Sequence, residues 1–137
     1  MKLLVATAML FALATGAAQA DSENCRKSRE YLLGTPGGDL ALTPQAYNDL
    51  FKICIATTAM PNVKDAYILR DGGIAVVPKQ DSVAATAGTL AQFCDAYPRG
   101  VLRFISRKEK LSIRSVTDVA RMSSTSSTPC KKIKGLS

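Results

Sequence analysis

The sequence predicts an α+β fold: a small mixed sheet of three to four strands, built from a hairpin plus a crossover, packed by about three helices and stapled by disulfides. Three observations carry this. Residues 65–70 and 74–78 are apolar strand-like runs joined through Asp71-Gly72-Gly73, which is hairpin chemistry. A capped, alanine-rich helical stretch then separates them from a further apolar run at residues 101–106. Finally, the 4 cysteines all follow an export-type N-terminus, where an even count reads as two bridges.

That N-terminus is Met1-Lys2, an apolar run and then Ala18-Gln19-Ala20, the layout of a cleavable secretory signal with cleavage before Asp21. The run is short and alanine-rich for a retained anchor. Residues 21–137 are then a single exported domain with no further segment able to span a bilayer.

The elements follow in order. Residues 22–33 read as a helix, with Cys25, Ser28 and Leu32 at helical spacing and Gly34 as its stop. Residues 35–39 are loop by composition. Thr43-Pro44 opens a second helix: threonine caps free N–H groups and proline suits the first helical position. Its stripe is Ala46, Tyr47, Leu50, Phe51 and Cys54, and Pro61 ends it.

In the hairpin, the nearly continuous apolar run Ile74 to Val77 predicts a strand covered on both faces or central, closed by Pro78. Asp81 or Ser82 caps the third helix. Val83, Ala87, Leu90 and Cys94 form its expected stripe, widened by Ala84 and Ala91, and the alanines predict close approach to the sheet. Residues 101–106 are the next strand, with Leu102 and Phe104 on one face and Arg103 on the other. The first hairpin strand is expected between the two crossover-linked strands.

Residues 107–110 read as a charged turn. Leu111 and Ile113 alternate with Ser112 and Arg114, predicting a fourth, edge strand. Thr117-Asp118 is the expected cap of a short helix reaching Met122. Residues 123–129 are Ser/Thr-rich loop, tethered by Cys130 and followed by a basic tail.

Four cysteines permit three connectivities. Cys25 with Cys54 and Cys94 with Cys130 is the preferred pairing: it joins the first two helices and pins the tail to the third. The other two pairings remain open on sequence alone.

Charge is unevenly spread. Residues 21–98 carry 7 basic and 9 acidic side chains, net −2; residues 99–137 carry 10 basic and 2 acidic, net +8. Such a step speaks about partners, not fold. The expected docking residues are Arg103, Arg107, Lys108, Lys110 and Arg114, facing an acidic protein partner or an anionic envelope surface. Nucleic acid is disfavoured, because Phe104 is the one aromatic in the basic third and stacking platforms need more.

Catalytic sets are scarce. The chain has no histidine, which removes the commonest general base and metal ligand. No thiol pair has redox or zinc spacing, and no nucleophile elbow or nucleotide fingerprint appears. Ser112 with Lys110, or Asp65 brought to Asp95 by folding, are the formal remnants. No cofactor or metal is expected.

The reading is a non-catalytic periplasmic or secreted binding protein: an accessory, inhibitor, immunity or host-interaction factor. The alternatives are an envelope-associated structural protein and an enzyme whose histidine-free site is assembled by the fold.

Overall fold

A computed structural model describes residues 23–122 and 128–130. The predicted signal segment, most of the Ser/Thr-rich loop and the basic tail lie outside the described residues. The helices are α1 (Glu23–Leu32), α2 (Pro44–Thr58), α3 (Val83–Ala96), α4 (Arg107–Ser112) and α5 (Val116–Ala120). The strands are β1 (Val63–Ile68), β2 (Ile74–Pro78), β3 (Val101–Phe104) and β4 (Thr128–Pro129), in sheet order β1-β2-β3-β4. The fold class is the one expected: a mixed sheet made of an antiparallel hairpin and a parallel β2–β3 crossover.

β2 is the centre. All five of its residues are buried, because its alternating side chains feed two apolar clusters. Ile74 and Val76 join Ile68, Leu32, Tyr47 and Phe93 under α1, α2 and α3. Ala75 and Val77 join Tyr67, Leu69, Ile105 and Val119 beneath the short C-terminal helices. Two-faced burial is why the strand reads as a continuous apolar run rather than an alternating one.

The hairpin turns where Gly72 takes φ +99° and donates its N–H to Leu69 O at 3.1 Å. Tyr47 holds this end from α2. Its fully buried ring places a hydroxyl that accepts from Ala41 N (3.1 Å) and Leu42 N (3.2 Å) and donates to Arg70 O. One phenol thereby ties the α1–α2 connection to the hairpin. At the free side of β1, the Ile68 N–H donates to Ser28 Oγ of α1 at 2.9 Å. α1 thus covers the sheet edge that an unpaired strand would otherwise expose.

Both disulfides form in the preferred pairing, Cys25–Cys54 and Cys94–Cys130, with Cα separations of 5.8 and 5.2 Å. The first welds α1 to α2. The second joins α3 to the residue after β4, whose N–H also donates to Gly100 O at 3.0 Å.

Four expectations are corrected. β1 does not lie between β2 and β3: those two pair directly, Ile74 opposite Leu102 and Val76 opposite Phe104. A strand as apolar on both faces as β2 gains more from the central position than the partly polar β1. Second, the α3 stripe is rotated at its N-terminal end, although Leu90 and Cys94 do pack on the core as expected. Val83 is 86% exposed and Ala87 is also exposed, while Thr89, Phe93 and Cys94 are buried. Alanines offer little apolar area, so the bulky Phe93 sets the docked face; most of the alanines look outward rather than onto the sheet.

Third, the expected edge strand around residues 111–114 is not a strand. Ser106 Oγ accepts the Glu109 N–H at 3.1 Å and starts α4, which runs through Leu111. The fourth strand is Thr128–Pro129 instead, antiparallel to β3. Fourth, the cap of α5 is Ser115, not Thr117: Ser115 and Asp118 form a reciprocal capping box.

Candidate functional site

The basic third folds into a layer made of β3, α4 and α5, and its cations have different local fates. Arg103 alternates on β3 toward this layer. Its guanidinium meets Glu109 Oε1 at 2.9 Å, and Nη1 lies 2.7 Å from Met122 Sδ. With only 19% of its side chain exposed, Arg103 is a strut joining β3, α4 and the end of α5. Arg107, at the start of α4, is fixed twice: its N–H donates to Asp81 Oδ2 at 2.8 Å, and Nη2 donates to Lys79 O at 2.7 Å. The guanidinium is therefore held over the end of β2.

Lys110 follows one helical turn later on the same side. Its ammonium donates to Tyr67 Oη at 2.5 Å and sits 5.0 Å from that ring's centroid. Tyr67 is almost wholly buried on β1, and burial raises its phenol above the usual range. The Lys110 hydrogen bond acts in the opposite direction, while nearby Asp65 adds to the rise. Lys110 therefore meets a phenol hydroxyl directly, with the Asp65 carboxylate beside that phenol. Asn24 completes the cluster, donating to Asp65 Oδ1 at 2.8 Å and reaching Tyr67 Oη at 3.4 Å.

Two hollows share Lys110. One, of about 320 Å³, is lined by Lys64, Val77, Pro78, Arg107, Lys110 and Leu111. Three cations stand around an apolar floor, with no carboxylate among these lining residues. Leu111 rises at its rim, 89% exposed. The other, of about 200 Å³, is lined by Asn24, Tyr67, Lys110, Arg114 and the start of α5. Of the expected docking residues, the fold brings Arg107 and Lys110 to the first hollow and Lys110 and Arg114 to the second. Lys108 is exposed and lines neither; Arg103 lies beneath them.

Lys64 is not among the expected docking residues. It sits in the acidic part of the chain, on β1, and only the pairing of β1 with β2 carries it to α4. Nothing local in the sequence marks it. Tyr67 reads simply as a core aromatic, which it also is.

The formal catalytic remnants do not assemble. Ser112 Oγ donates back to Glu109 O at 2.7 Å. Asp65 shares the Tyr67 face of the sheet, whereas Asp95 is on α3, which packs on the other face. Every cysteine is in a disulfide. Among the described residues, no three His, Cys, Asp or Glu side chains gather to hold a metal ion, and no helix is long and apolar enough to cross a membrane. A further hollow of about 430 Å³ between α2 and the end of α3 is mainly apolar, with Arg99 as its charged lining residue.

Comparison of the chain with protein-family models, with curated proteins and with solved structures found no match.

Proposed function

We propose that this chain is a non-catalytic exported binding protein that docks an acidic protein partner through its basic C-terminal third. The observation that carries the reading is the carboxylate-free hollow where Arg107 and Lys110 meet Lys64. Such a surface attracts carboxylates at long range and discriminates against basic competitors. Arg107 is already held by Lys79 O, so little side-chain freedom is lost on docking. Arg103 supports the surface from below, and Lys108 and Arg114 extend it.

The two disulfides point to an oxidising, extracytoplasmic compartment. Export by the N-terminal signal agrees with them and completes the proposal.

The test is capture from envelope extract on immobilised mature chain across a salt series. Charge docking predicts capture that falls as salt rises through 0.1 M, where the screening length shrinks to about 10 Å. It also predicts loss of that capture in the Arg107→Glu, Lys108→Glu double variant. Capture indifferent to both salt and charge reversal would sink the reading.

A further inference from the structure

We infer that the hollow between β2 and α4 is a peptide-recognition site: it takes an acidic segment of the partner, seating one apolar side chain against Val77, Pro78 and Leu111 while flanking carboxylates meet Lys64, Arg107 and Lys110. This rests on the proposed acidic-partner reading and adds the chemical form of what is bound.

Two features of the lining require both halves of such a ligand. The cations come from three separate places, β1, the start of α4 and its second turn, so a single point charge does not satisfy them. An extended chain with acidic side chains on either side of the centre does. The floor between them is apolar and belongs to the rigid sheet: Val77 is 3% exposed in β2, and Pro78 closes the strand. Leu111, 89% exposed at the rim, adds apolar area that a docked side chain would cover. About 320 Å³ is at the small end of ligand pockets, which suits one side chain and its backbone.

The direct side-chain contacts of two of the cations are to uncharged oxygens: Lys110 Nζ to the Tyr67 phenol and Arg107 Nη2 to Lys79 O. The neighbouring acids, Asp65 beside Tyr67 and Asp81 on the Arg107 backbone N–H, do not line the hollow. A lipid surface fits less well. The apolar floor is recessed, and α4 spans 6 residues, short of the long amphipathic face that lies in a bilayer interface. Nucleic acid fits least, since no aromatic lines the hollow for a base to stack on.

A random heptapeptide library displayed on phage, selected on the folded mature chain at low salt, tests this directly. The expected winners carry Asp or Glu on both sides of a Leu, Ile, Met or Phe. A synthetic winner should lose about tenfold in affinity with Lys64→Glu, through reversal of a close charge, and several-fold with Leu111→Ser. Both positions are exposed, and unchanged thermal melts confirm that the variants fold. Lys64 is the decisive position, because it lies outside the basic third. Winners weakened by Lys108→Glu or Arg114→Glu but not by Lys64→Glu and Leu111→Ser would overturn the hollow while leaving an acidic partner standing. Winners without acidic residues, or no winners while vesicles of anionic lipid co-sediment with the chain, would overturn it as well. Salt-indifferent capture in the envelope experiment would instead remove the reading beneath it.

Discussion

Replacing Cys25 and Cys54 together by alanine isolates what the first bridge contributes. The bridged residues are separated by 29 positions, and the chain-entropy treatment assigns that closure about 3.6 kcal/mol at 25 °C. A domain of this size has a total margin of about 5–15 kcal/mol, so the loss is a large fraction of it. With about 4 °C lost per kcal/mol in a chain of this length, the melting midpoint should fall by about 15 °C. The assay is thermal and urea unfolding followed by circular dichroism.

The second bridge gives the contrast. Its separation of 36 predicts about 3.8 kcal/mol, within about 0.2 kcal/mol of the first. Yet β4 has only 2 residues of pairing, so cutting Cys94–Cys130 frees that segment in the folded state as well. Entropy regained by the native chain offsets part of the loss, leaving about 1–2 kcal/mol and a fall of about 6 °C. Equal falls for the two double variants would refute the view that β4 is held chiefly by its bridge. A fall under about 4 °C for Cys25→Ala with Cys54→Ala would refute the closure argument itself.

Three further outcomes follow from particular contacts. Tyr47→Phe keeps the buried ring but removes the partner of Ala41 N, Leu42 N and Arg70 O; it should cost about 2–3 kcal/mol in urea unfolding and speed amide exchange at residues 41 and 42. Gly100→Ala would set its Cβ 2.5 Å from Phe93 Cε1, and because Phe93 is fully buried it should destabilise by about 1–3 kcal/mol in the same assay. Tyr67 has a raised phenol pKa in the fold, so its contribution to stability is fully present below the unfolded value near 10 and is lost as pH rises through the folded value. Ultraviolet titration should show Tyr67 ionising late, and Lys110→Met should move it later still by removing the hydrogen bond that lowers it.

Much of this architecture is written locally. The run Ile74 to Val77 between Gly72-Gly73 and Pro78 specifies a central strand, because burial on two faces leaves no room for alternation. Cys25 and Cys54 sit on the apolar stripes of consecutive helices, which makes their union the simplest one. α4 was illegible for a physical reason: Leu111 and Ile113 imitate a strand period, while the competing cap from Ser106 to Glu109 is just as local and prevails. The start of α3 departs from its apolar pattern because alanines contribute little area and Phe93 outweighs them. β4 is imposed by the neighbouring Val101 and Leu102 rather than by Thr128-Pro129 itself. The hollow was half legible. Arg107 and Lys110 follow from charge density, but Lys64 arrives only through strand pairing, and no one-dimensional pattern announces it.

The two bridges are consecutive: first cysteine with second, third with fourth. Were the chain delivered N-terminus first into an oxidant, Cys25 and Cys94 would each find the native mate in the next thiol to emerge. Vectorial oxidation would then write the correct set in one pass, with no wrong cross-link for a reshuffling enzyme to undo before the second half arrives.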